Sequence, residues 1–114
     1  MSKLIEKRNE VNIFEYEAPK YRGRENVNGV IADGMVLRLY QWLIDHDMDD
    51  YTIDELYNSY TSGIRNGNEI QLIDNIPFDY DSDLYISYMY YYNGNVWAVL
   101  YDTENNDWYG EFEL

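Results

Sequence analysis

Cysteine is absent from this 114-residue chain, proline occurs twice, histidine once, and no lysine or arginine follows Arg65. Without cysteine the chain has no disulfide, no thiolate nucleophile and few means of building a structural zinc site, which fits a reducing compartment. The opening MSKLIEKRNEVN lacks the apolar run of a secretory signal or a membrane span. The expectation is therefore a soluble protein of the cytoplasm of a bacterial host cell. With His46 the lone histidine, acid–base chemistry would rest on it or on carboxylates alone, and the chain has no Gly-x-Ser-x-Gly, no glycine-rich phosphate loop and no cysteine nucleophile. No catalytic residue, metal or cofactor is assigned.

What the chain does have is acid and aromatic surface. It carries 22 acidic against 8 basic side chains, a formal charge of −14, together with 14 tyrosines and 3 tryptophans. An acidic tail without a core would not hold 46% apolar residues, so the chain folds, and its length suits one domain. Charge is uneven along it. Residues 1–32 hold six basic and five acidic groups, 33–65 hold two and seven, and 66–114 hold none and ten. Such a field disfavours nucleic acid and anionic membranes as direct ligands and favours a cationic partner.

The periodicity divides residues 1–114 into a slightly basic N-terminal strand or arm (1–32), a helical pair (33–67) and an antiparallel meander (68–114). Val11 to Tyr16 reads as a strand. In DGMVLRLYQWLID the apolar residues Met35, Val36, Leu39, Trp42 and Leu43 lie on one helical face, with Asp33 in the N-cap position. In YTIDELYNSYTSGI the residues Ile53, Leu56, Tyr57, Tyr60 and Ile64 repeat that spacing, and the predicted second helix ends near Gly63 or Gly67.

Beyond the RNGNE turn the period becomes two. EIQLI reads as a strand, Pro77 breaks the chain, and DLYISYMYYY meets VWAVLY across Asn93-Gly94, a type I′ hairpin signal. That register pairs Tyr92 with Asn95, Tyr90 with Trp97 and Tyr88 with Val99. Closing the last loop at Tyr101 and Trp108 places Trp97 opposite Phe112. One sheet face then carries Leu84, Ile86, Tyr88, Tyr90, Trp97, Val99, Tyr101, Trp108, Phe112 and Leu114, and is the face expected beneath the helices. The other carries Tyr85, Ser87, Met89, Tyr91, Val96, Ala98, Leu100, Tyr109, Glu111 and Glu113. The predicted class is α+β, with two consecutive helices packed on one face of a small antiparallel sheet that ends in a three-stranded meander.

IDHDMDDYTIDEL resembles a calcium loop, with Asp45, Asp47 and Asp49 at the first, third and fifth ligand positions. Asp50 stands where the loop needs glycine, Leu56 where it needs the closing glutamate, and no sister loop exists. A capping box of Thr52 and Glu55 and a hydrophobic staple of Tyr51 and Leu56 explain the same stretch as a joint between helices. Asp45, Asp47, Asp49 and Asp50 remain as a secondary acidic patch.

The stronger candidate is collective. Asp74, Asp79, Asp81, Asp83, Asp102, Glu104, Asp107, Glu111 and Glu113 lie in a region without compensating basic groups, and alternate strand residues stand about 6.5 to 7 Å apart on one face, close to phosphate spacing. Tyr85, Tyr91 and Tyr109 on the outer face add the amphipathic rings that interfaces favour. That face either binds a partner or is covered by the N-terminal strand or by a twin subunit as a homodimer. The expected partner is a cationic nucleic-acid-binding protein, a nuclease or defence effector whose groove the acids occupy. In charge and size alone the chain looks like the small anti-defence proteins of phages and mobile elements, the anti-CRISPR and antirestriction type. An immunity protein that neutralises a cationic nuclease toxin uses the same electrostatics. A virion or assembly protein and a calcium-responsive module are the remaining alternatives.

Overall fold

A computed structural model of the chain describes residues 3–8, 10–16, 28–46, 64–78 and 83–114, and of 64–66, 73 and 74 only the backbone. In chain order the elements are β1 (Leu4–Arg8), β2 (Val11–Phe14), α1 (Gly29–Asp45), β3 (Ile64–Asn66), β4 (Glu69–Pro77), β5 (Leu84–Tyr92), β6 (Asn95–Asp102) and β7 (Asp107–Glu113). The seven strands form one antiparallel sheet in the order β1-β2-β7-β6-β5-β4-β3. The fold is α+β, and the sheet is larger than a meander with one added strand. The described residues hold one helix where two were expected. The second predicted helix lies mostly outside them, and its last apolar position, Ile64, is in β3.

The central hairpin follows from its turn chemistry. Asn93 and Gly94 have φ of 52° and 81°, the paired left-handed conformation of a type I′ turn. Tyr92, Tyr90 and Tyr88 pair with Asn95, Trp97 and Val99, and Tyr101 pairs with Trp108, as the alternation predicts. Gly67, with φ of 63°, opens a second tight hairpin between β3 and β4, so the RNGNE segment is partly strand. Pro77 does not break the chain beforehand. It is the last residue of β4, opposite Tyr85, in a position where its missing N–H is tolerated.

α1 is capped five residues before the expected Asp33. Its N-cap is Asn28, whose side-chain oxygen accepts from the Ile31 N–H at 3.0 Å. The buried residues of the helix are Ala32, Met35, Val36, Leu39 and Leu43, one per turn or nearly so, and Trp42 lies half-buried at their side. They pack on Ile70, Leu72, Ile86, Met89, Ala98, Leu100 and Phe112 of the sheet and on Ile13 of β2. Trp42 completes this layer against Phe112, at 5.0 Å between ring centroids, and against Phe78 at 5.9 Å.

Two register shifts overturn the expected assignment of faces. Ile86 pairs with Leu100 but Tyr88 pairs with Val99, so Ser87 is an extra residue in β5, and Ile86 and Met89 share the helix face across a gap of three. Likewise Leu100 pairs with Gly110 but Tyr101 pairs with Trp108, so Tyr109 is an extra residue in β7. Phe112 therefore stands opposite Ala98, not Trp97, whose partner is Glu113. A bulge changes the parity of every residue beyond it. Tyr88, Tyr90, Val99 and Trp97 thus form a separate cluster on the face away from α1, and Met89, Val96, Ala98 and Leu100, placed outside by strict alternation, lie under the helix.

The N-terminal hairpin is integral to the sheet. β2 pairs with β7 through Phe14 and Glu111, and β2 crosses so near to Gly110 that a Cβ there would stand 2.6 Å from the Phe14 carbonyl and 2.8 Å from Ile13 Cγ2. Glycine at the second bulge is what admits this approach. No helix among the described residues is long and apolar enough to cross a membrane.

Candidate functional site

The acids of the C-terminal half fall into separate groups once the chain is folded. Asp83 precedes β5, and Asp102 and Asp107 bound the four-residue turn between β6 and β7. Two hydrogen bonds tie these segments together, because Thr103 gives both its backbone N–H (2.9 Å) and its hydroxyl (3.0 Å) to the Asp83 carbonyl. The sheet thus ends in a rim that carries Asp83, Asp102, Glu104 and Asp107.

The turn is ordered by its own aspartate. Asp102 Oδ1 accepts from the backbone N–H of Glu104 at 2.9 Å and of Asn105 at 3.3 Å, and Oδ2 accepts from the Asn105 side-chain amide at 2.7 Å. This is an Asx turn, to which Asn106 adds a residue with φ of 54°. The Asn105 side-chain hydrogen bond, aided by the two backbone donors, holds the Asp102 carboxyl below the ordinary 3.8. Asp102 is thereby spent on shaping the rim, while Asp83, Glu104 and Asp107 are exposed.

Trp108 stands beside these acids. Its side chain is 44% exposed, and it is held by Tyr101 and Tyr88 in edge-to-face contacts at 5.1 and 5.5 Å and by Tyr16 at 5.7 Å. Next to it opens a cleft of about 580 Å³ lined by Lys3, Ile5, Glu15, Tyr16 and Tyr109. An aromatic ring in a rigid tyrosine setting beside carboxylates is suited to a guanidinium or ammonium group, which gains from both the ring face and the charge. Strict alternation had put Trp108 under the helix. The Tyr101–Trp108 pairing is as predicted, and it is the extra residue at Ser87 that puts this whole face, Trp108 included, away from α1.

Other predicted residues are elsewhere. Glu111 is fully buried: the Tyr90 hydroxyl donates to its Oε2, and it sits opposite Val99 and Phe14. It belongs to the interior, not to a partner surface, because the second bulge places it beside Val99 on the face away from α1, where the Tyr90 hydroxyl is its partner. Glu113 is exposed but at the far end of β7, about 20 Å from Asp107 at strand rise. Tyr91 and Tyr109 are half-buried against the helix-side core, Tyr109 with the Arg8 guanidinium 5.8 Å from its ring centre, and Tyr85 is half-buried opposite Tyr101. Of Asp74 only the backbone is described, and Asp79 and Asp81 lie outside the described residues.

The calcium-like stretch is described only at its start. Asp45 is exposed at the last position of α1, with Oδ1 accepting from Gln41 Nε2 at 2.8 Å. His46 stacks on Trp42 at 4.0 Å, with Nδ1 2.7 Å from the Trp42 carbonyl oxygen. Asp47, Asp49, Asp50 and the capping box of Thr52 and Glu55 lie outside the described residues. Among the described residues no group of three His, Asp or Glu side chains is arranged to hold a metal ion.

No protein-family model matches this chain, and no curated protein or solved structure matches it either.

Proposed function

We propose that the chain is an acidic protein-binding inhibitor that imitates nucleic acid and occupies the cationic groove of a DNA- or RNA-handling protein, a nuclease or a defence effector. The observation that carries this reading is the rim. Thr103 locks the β6–β7 turn to the start of β5, so that exposed Asp83, Glu104 and Asp107 share one end of the sheet with exposed Trp108. No lysine or arginine from residue 66 to 114 offsets them. A cluster of exposed carboxylates steers a basic partner by long-range attraction, and Trp108 adds the desolvated contact that slows dissociation. The reading gives the chain no reaction to catalyse.

Affinity capture from a bacterial lysate with the full chain tests it. Nucleic-acid-binding proteins should be retained at low salt and released as salt rises. Replacing Asp83, Glu104 and Asp107 together by lysine should slow association about 10- to 10³-fold. The far-ultraviolet circular dichroism should not change, since all three side chains are exposed. Retention of the same proteins by that triple variant would remove the rim from the argument, and capture without nucleic-acid-binding proteins would remove the mimicry.

A further inference from the structure

The ladder between β2 and β7 is a single pair, Phe14 with Glu111. Continued in register it would set Asn12 opposite Glu113, but the strands part there, and a cleft of about 460 Å³ opens between them. Its walls come from both sides of the sheet. Trp42 and His46 belong to the end of α1 and stack on each other at 4.0 Å, while Trp97 and Phe14 belong to the opposite face and meet edge to face at 6.3 Å. Glu10 and Glu113 complete it, both of them exposed, and among the described residues no lysine or arginine lines it.

Three further features favour a cation there. α1 points its C-terminus, the negative end of its dipole, at the cleft, and no basic residue stands in its last turn. His46 Nδ1 lies 2.7 Å from the Trp42 carbonyl oxygen, which can only accept, so Nδ1 carries the proton and Nε2 of the neutral ring offers a lone pair. Glu10 has φ of 66°, whereas the other described residues with positive φ are all Asn or Gly. A glutamate held in that conformation costs stability that asparagine would not, and such residues gather where a ligand is bound.

We propose that this cleft holds the guanidinium group of an arginine side chain supplied by another protein. Guanidinium is planar and weakly hydrated, lies on aromatic faces and donates to several acceptors at once; the cleft supplies rings together with Glu10, Glu113 and His46 as acceptors. A lysine ammonium is compact and strongly hydrated, and gains less from the rings. Free arginine brings a carboxylate of its own, which would meet two carboxylates and no cation, whereas arginine within a chain does not. The cleft is at the opposite end of β7 from the rim, and the inference stands without the inhibitor reading: a chain that captures no nucleic-acid-binding protein can still hold an arginine here.

N-acetyl-arginine amide, which carries the side chain without a free carboxylate, is the probe. The full chain has three tryptophans, so its indole N–H resonances report on the cleft and the rim separately. Those of Trp42 and Trp97 should move with one shared midpoint near about 1 mM, the scale of a single side chain held by ring faces and charged acceptors, whatever Trp108 does at the rim. N-acetyl-lysine amide and free arginine should each need about 10-fold more. Glu10→Asn suits the turn, so it should melt no lower than the parent chain and yet raise the midpoint about 10-fold, and Glu113→Gln should raise it similarly. Indole signals that stay in place at about 10 mM, two different midpoints, or a midpoint that neither variant moves would overturn the site. Equal binding of the lysine derivative would overturn the guanidinium, and equal binding of free arginine would overturn a protein as its source.

Discussion

The two faces of the sheet are built from the same strands yet held by different physics. On the face under α1, Ile86, Met89, Ala98, Leu100 and Phe112 are all fully buried, and apolar area removed from water supplies the stabilisation. On the other face the interior is partly polar: Tyr90 and Glu111, both fully buried, share a hydrogen bond, while Tyr88 meets Tyr16 and Trp108 edge to face and Tyr16 lies tilted on Trp108. This second face keeps a carboxylate because the Tyr90 hydroxyl donates to it. Among the described residues, then, the aromatic-rich sheet packs a helix on one side and carries a hydrogen-bonded aromatic network on the other, with Trp108 at the network's margin.

The largest break in that contrast should come from the helix face. Phe112→Ala removes a ring packed on Trp42 and Phe78, at centroid distances of 5.0 and 5.2 Å, and should cost about 3 to 5 kcal/mol in urea unfolding. On the aromatic face Tyr90→Phe leaves the volume intact but takes a donor from buried Glu111, at a cost of about 1.5 to 3 kcal/mol. The double variant Tyr90→Phe/Glu111→Leu should recover much of that loss. If the double variant were as unstable as Tyr90→Phe, the polar network would not be what holds this face.

The smallest effect should appear at the rim. The folded pKa of Asp102 is depressed, so its contribution is present at neutral pH and is lost only as pH falls through that depressed value, below the ordinary 3.8. Backbone amide resonances of Glu104 and Asn105 should shift together in that acid range while those of β5 stay in place. An Asp102→Ala variant should lack this titration and loosen the turn, with little change in global stability because the group is at the surface.

Much of the scaffold was legible because it is written in local periods. The spacing of Met35, Val36, Leu39 and Leu43 identifies the buried face of α1, and Asn93-Gly94 sets the β5–β6 register through turn geometry. The start of α1 was less legible, since the caps Asn28 and Asp33 are alike in chemistry and only packing of Ala32 extends the helix to the earlier one. Of the candidate site, Asp83, Glu104 and Asp107 were recognised as acids in loops, whereas Thr103 and Trp108 were not singled out. Their importance comes from a contact between segments 20 residues apart.

By itself the sequence determined the charge field, the helix face, the central hairpin and the absence of thiol chemistry, because each depends on composition or on neighbours within a turn or two. Only the tertiary structure decided which sheet face meets the helix, that β1 and β2 join β7, and that Glu111 is interior while Trp108 is exposed. The physical reason is parity. One extra residue at Ser87 and another at Tyr109 invert the alternation beyond them, and whether a strand takes up such a bulge is settled by the strands and helix that pack against it, not by the residues of the strand alone.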